Sequence, residues 1–228
     1  MVPIPPLDTT LGAIEIGGVF ATFLFGLATS QTLYFYSTFP TERPALKLAV
    51  AVVWFLELGH TIATWHAIYL LTITFYGQTR YIEQPPQSLY ATILLSSLIA
   101  CIIQTFFANR IRVLSGRWVF TLICWVLTFA RAAFSISVFV ITLKAPQVSE
   151  FQLKFRWLIE VAFSIFGAND ILITGSLCFY LWKLRSHGVK NTRSMVDTLV
   201  VWSIETVMIT SGCGVVVLIL VLTRNDCG

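Results

Sequence analysis

Residues 46–75 read LKLAVAVVWFLELGHTIATWHAIYLLTITF, a stretch of 30 in which Lys47 and Glu57 carry the only formal charges. As a helix rising about 1.5 Å per residue, such a run crosses the roughly 30 Å hydrocarbon core of a bilayer with tilt to spare. A barrel strand would alternate in polarity over about 10 residues, and this run does not. Five further runs of the same kind accompany it. The six cover about 11–36, 46–75, 89–107, 118–143, 157–182 and 198–223. The joints between them, 37–45, 76–88, 108–117, 144–156 and 183–197, are too short for a separate domain. The expected architecture is an all-α, polytopic transmembrane bundle of six spans, with residues 1–228 as one domain.

Composition agrees with that reading. The chain of 228 residues is 57% hydrophobic and 11% charged. A soluble domain averages about 45–50% apolar and about 25% charged residues. A soluble enzyme, a nucleic-acid-binding module and a disordered tail are thereby excluded. The net charge of +4 does not point to nucleic acid, because all the cations but Arg131, which lies within a span, stand at helix ends or in joints facing anionic headgroups. The expected partner is the lipid bilayer itself. Residues 1–10 hold no Lys or Arg and include Asp8, so no cleavable signal is expected there.

The cations also set an orientation. Joints 1–2, 3–4 and 5–6 hold nine of them, from Arg43 to Arg193, against five in the N-terminus, the other joints and the C-terminus. The expected topology puts the N-terminus outside and joint 183–197 in the cytoplasm. Trp118, Trp157, Trp182 and Tyr36 fall at span ends, where amphipathic rings suit the headgroup level.

Motifs for common chemistries are missing. Cys101, Cys124, Cys178 and Cys213 lie in apolar spans, and no Cys/His spacing suits zinc. Cys227 is not in a prenylation box. No nucleotide-binding glycine pattern occurs, so neither metal nor cofactor is expected. Gly12, Gly17, Gly18 and Gly26 in the first span, and Gly212 and Gly214 in the sixth, read as close-packing positions.

The informative residues are polar ones inside the spans, where a central charge costs about 2.5–3.5 kcal/mol on insertion scales. Glu57, His60, Arg131, Asn169 and Asp170 fall near one depth. Trp54, Glu57, Thr61 and Thr64 share a helical stripe that His60 adjoins. The ligand-binding candidates are therefore Trp54, Glu57, His60, Arg131, Asn169 and Asp170. Two readings stay open. In one, Arg131 bridges Glu57 and Asp170 while His60 bonds Glu57, which fixes helix register. In the other, the same residues line a site. A second polar layer, nearer the cytoplasm, comprises Gln31, Gln104, Asn109 and Glu205, and interhelical hydrogen bonding explains it adequately.

Several motifs form a recognisable set: Leu7-Asp8-Thr9-Thr10-Leu11-Gly12, the run from Trp54 to Thr61, the run from Gln104 to Ile111, Gly167-Ala168-Asn169-Asp170-Ile171, and the run from Ser194 to Thr206. Together they resemble a large family of fungal, mainly basidiomycete, multi-pass membrane proteins catalogued as a domain of unknown function. The resemblance implies a fungal integral membrane protein and carries no activity. Members typically continue into a seventh helix, so the resemblance also implies that this chain lacks the last helix.

The leading functional expectation is a receptor- or sensor-like bundle that takes a small apolar or amphipathic ligand between its helices. The alternative is a membrane-embedded enzyme in which Glu57 and Asp170 serve as acid and base on an isoprenoid or lipid substrate. A proton or ion pathway and a purely structural membrane partner are further alternatives.

Overall fold

The computed structural model describes residues 11–78, 86–116, 118–144, 167–176 and 178–179. Helices account for nearly all of them, and no strand occurs among the described residues. The four long helices are α1 (Ala13–Thr38), α2 (Pro44–Tyr69), α3 (Gln87–Ser115) and α4 (Trp118–Lys144). Residues 167–176 form a further helical segment, α5. Four segments are long and apolar enough to cross a membrane: Ile14–Thr38, Pro44–Thr74, Gln87–Val113 and Thr121–Ile141. They correspond to the first four expected spans. The fifth expected span is described only over α5 and residues 178–179, and the sixth lies outside the described residues.

Local chemistry explains the helix ends. Arg43, in the extended conformation that precedes a proline, leads into Pro44 at the first position of α2, where the missing N–H costs nothing. One π-helical turn, Leu70–Thr74, continues α2, and the left-handed Gly77 follows it. Gly116, with φ +67°, closes α3 by donating its N–H to the Arg112 carbonyl at 3.0 Å. The Arg112 guanidinium lies 4.4 Å from the centre of the Trp118 ring across this turn, a cation–π contact at a helix end. The sequence places the end of the third expected span at Phe107, before Asn109 and the arginines. The helix instead runs on to Ser115, because backbone hydrogen bonding continues through a polar end that snorkelling side chains tolerate.

The chain divides into two compact units. The first holds α1, α2, the start of α3 and the end of α4. Its centre is the α1–α2 hairpin, tied by three hydrogen bonds. Trp65 Nε1 donates to Thr22 Oγ1 at 2.7 Å, Trp54 Nε1 to Thr29 Oγ1 at 3.0 Å, and the Tyr36 hydroxyl to the Lys47 carbonyl at 2.6 Å. Thr22, Thr29 and Tyr36 recur every seven residues, so they line one seam of α1. Each of the two threonines gives its own proton to a carbonyl one turn back, at 2.8 Å, and keeps a lone pair for the indole. Gly18 lets α2 approach, since a Cβ there would collide with Ile68 Cδ1. Gly12, Gly17 and Gly26 have no such neighbour, so close packing accounts for Gly18 only among the described glycines of α1. Outward-facing Phe20, Phe23, Phe55 and Ile62 leave a broad apolar surface of the kind lipid covers.

The second unit comprises Ile103–Phe134 and the chain from Phe155 onward. Phe107, Ala108, Ile111, Cys124 and Ile173 form its apolar core, and Ile103, Phe106 and Trp125 pack against it. Thr121 Oγ1 donates to the Ala108 carbonyl at 3.1 Å and fixes α4 against α3.

Candidate functional site

The second unit carries a continuous polar chain through its helices. Asn169 Nδ2 donates to Thr128 Oγ1 at 3.4 Å. The Thr128 hydroxyl reaches two acceptors, Gln104 Oε1 at 3.1 Å and the Cys124 carbonyl at 2.7 Å. Gln104 Nε2 donates to Asp170 Oδ1 at 2.9 Å. Arg131 Nη1 stands 3.8 Å from the same oxygen, an ion pair rather than a direct hydrogen bond. Side chains from α3, α4 and α5 thus meet around one carboxylate.

Each member comes from a helix-periodic position. On α4, Thr121, Cys124, Thr128, Arg131 and Ser135 repeat at alternating steps of three and four, a heptad seam. On α3, Ser97, Gln104 and Ile111 repeat every seven residues, and all three are buried. On α5, Asn169 and Ile173 are one turn apart and both buried. The seam is polar where a soluble helix would be apolar. In lipid, small and polar side chains turn inward, since the apolar ones lose nothing by facing the bilayer.

The two ends of the chain differ. Asn169 and Thr128 are 0% and 1% exposed, whereas the Arg131 and Asp170 side chains are 20% and 25% exposed. The closed end is not fully paired, because Asn169 Oδ1 is buried with no hydrogen-bond donor. At the open end, Asp170 Oδ2 accepts no hydrogen bond from the described residues. Two acceptors are thus used by no described residue: Asn169 Oδ1, which is buried, and Asp170 Oδ2, on a side chain that is 25% exposed. The Asp170 charge is offset by Arg131 at 3.8 Å, which lowers the cost of keeping a carboxylate among packed helices.

The expected midplane residues divide between the units. Arg131, Asn169 and Asp170 meet in the second. Trp54, Glu57 and His60 belong to the first. There Trp54 is committed to Thr29 and packs its ring 6.0 Å from Phe25, which makes it a hairpin anchor. Glu57 and His60 are half-buried, and no hydrogen bond joins their side chains among the described residues. Their carbonyls accept from Thr61 at 2.9 Å and Thr64 at 2.8 Å.

Of the expected second layer, Gln104 is a full member of the Asp170 chain. It stands 17 residues into a 29-residue helix, nearer its middle than a span ending at Phe107 implied. Gln31 and Asn109 make no side-chain hydrogen bond among the described residues, and Glu205 lies outside them. Thr128 was not anticipated. Its signal is the heptad step from Thr121 to Ser135. Among the described residues no group of His, Cys, Asp and Glu is arranged to hold a metal ion.

The sequence profile of a protein family of unknown function, DUF6534, matches residues 167–227. The matched stretch begins two residues before Asn169 and includes the α5 side of the polar chain. No curated protein and no solved structure matches the chain.

Proposed function

We propose that this protein is a receptor- or sensor-like membrane bundle, and that Gln104, Thr128, Arg131, Asn169 and Asp170 bind the polar head of a small amphipathic molecule. One observation carries the reading: Asp170 is held by Gln104 at 2.9 Å on one oxygen, while its other oxygen accepts no hydrogen bond from the described residues and the side chain is 25% exposed. A carboxylate placed only to clamp helices would spend both oxygens on the protein, since unmet polar capacity inside a bilayer is costly. The head group that suits this arrangement carries a hydrogen-bond donor, a hydroxyl or an amine. Its apolar part runs among helices whose outer faces are already apolar.

The reading takes the chain as a fungal multi-pass protein of six spans with its N-terminus outside. Its support is the asymmetry of Lys and Arg between joints and the motif set from Leu7 to Thr206.

Native mass spectrometry of the protein, released from gently extracted membranes, tests the proposal. A retained molecule smaller than a phospholipid, bearing a hydroxyl or amine, is expected. Protein emerging bare or with bulk phospholipid alone contradicts it.

A further inference from the structure

The turn between α3 and α4 carries charge of one sign. Arg110, Arg112 and Arg117 stand in it or just before it, and no Asp or Glu occurs between residues 84 and 149. Arg112 is held by its neighbour across the turn. Its guanidinium lies 4.4 Å from the centre of the Trp118 ring. It makes no hydrogen bond or ion pair to a described residue. A ring against the flat face of a guanidinium fixes its plane and leaves the N–H groups around its edge free to donate. Lys47, at the turn of the α1–α2 hairpin, is the contrast: its ammonium is spent on the Pro40 carbonyl.

The helices set the depth of the stack. The membrane-capable part of α3 ends at Val113, the residue after Arg112. That of α4 begins at Thr121, one turn past Trp118. At about 1.5 Å per residue, both side chains start within a helical turn of the apolar boundary, next to the lipid phosphates. The ring is open to the lipid side, since Trp118 is 56% exposed.

We propose that Arg112, stacked on Trp118, holds the phosphate of an anionic phospholipid at the α3–α4 turn. The inference is separate from the binding function at Asp170 and needs only that α3 and α4 cross the membrane. The guanidinium fork matches two phosphate oxygens, and the ring orients the fork before the lipid arrives. The acyl chains lie along exposed Val113, Val119 and Leu122. A zwitterionic head group is disfavoured, because its ammonium enters a cluster of arginines with no carboxylate nearby in the sequence.

Two lipids with equal chains test the proposal, dioctanoyl phosphatidylglycerol and dioctanoyl phosphatidylcholine. Each is titrated into the full-length protein in neutral detergent micelles, and the bound fraction is counted by native mass spectrometry. Equal chains cancel partitioning into the micelle. Phosphatidylglycerol is expected to bind wild type about tenfold tighter, as one charge-assisted contact would give. Arg112→Gln should remove that preference. Lys47→Gln deletes the same formal charge and should leave it within about twofold, because that cation is not offered to the lipid. Trp118→Leu keeps every charge and should weaken the preference by freeing the fork. Equal losses in Arg112→Gln and Lys47→Gln, as a diffuse positive field would produce, overturn the proposal. So does a wild type that binds both lipids alike, or a Trp118→Leu protein with the full preference. If Trp118→Leu does not fold, Arg112→Lys replaces it: the charge stays and the planar fork is lost, so an undiminished preference overturns the proposal.

Discussion

Gln104 on α3 and Asp170 on α5 are joined by a hydrogen bond of 2.9 Å, from the amide Nε2 to the carboxylate Oδ1. The other end of the amide is used as well, by the Thr128 hydroxyl at 3.1 Å. Gln104 is therefore oriented from both sides and presents a donor where Asp170 needs one. Gln104→Leu removes that donor but leaves Thr128 its alternative acceptor, the Cys124 carbonyl at 2.7 Å. The expected loss is about 1–3 kcal/mol, from a charged acceptor left short of a partner. Gln104→Glu should be worse, because it sets a second carboxylate against the first. Thermal unfolding in detergent measures both, and wild-type stability in Gln104→Glu would mean that the two side chains do not meet.

The α1–α2 hairpin depends on indole-to-hydroxyl bonds, so Trp54 and Thr29 should be energetically coupled. In a double-mutant cycle of Trp54→Phe and Thr29→Val, a coupling of about 0.6 kcal/mol is expected, the average for such contacts in a membrane protein. Thr22 and Trp65 serve as a second cycle with the same expected sign. Additive losses in both cycles would remove these bonds as the hairpin's register.

Two neighbouring glycines should respond in opposite directions. Gly17→Ala meets nothing within 4 Å and should stabilise α1 by up to about 1 kcal/mol through helix propensity. Gly18→Ala drives a methyl group into Ile68 Cδ1 and should offset that gain or reverse it, by about 1–3 kcal/mol of overpacking. Adding Ile68→Val removes the colliding atom and should restore stability. Equal melting temperatures for Gly17→Ala and Gly18→Ala would contradict the close approach.

Orientation is testable with thiols placed in a background without the native cysteines. Gln78→Cys, in joint 2–3, should react with an impermeant reagent from outside. Ser115→Cys, in joint 3–4, should react only after permeabilisation. The reverse pattern would invert the proposed topology.

Much of the helical framework is legible in the sequence, because bilayer thickness fixes span length and the first four spans are uniformly apolar. The end of α3 is not, since Asn109, Arg110 and Arg112 look like a joint while the backbone stays helical to Ser115. That misplaced boundary is what moved Gln104 out of the midplane group. Arg131, Asn169 and Asp170 stand out because charge and amide are rare at that depth. Thr128 does not, because a single threonine among apolar residues carries no such contrast. Only the seven-residue recurrence of Thr121, Thr128 and Ser135 marks its face. The role of Trp54 was hidden for another reason: its partner Thr29 lies on a different helix, and sequence spacing is silent about contacts between helices.

The central claim is that the polar chain ending in Asp170 is a binding site and more than a helix clamp. The most direct measurement compares wild type with Asp170→Asn, recording ligand occupancy by native mass spectrometry and the melting temperature of the same samples after the ligand is stripped. A binding site predicts lost occupancy in Asp170→Asn while the stripped protein still folds with a moderately lowered melting temperature, since the amide oxygen can still accept from Gln104 but Arg131 loses its counter-charge. Unchanged occupancy, or none in either protein, together with a large drop in melting temperature, would contradict the claim and leave Asp170 as a structural tie.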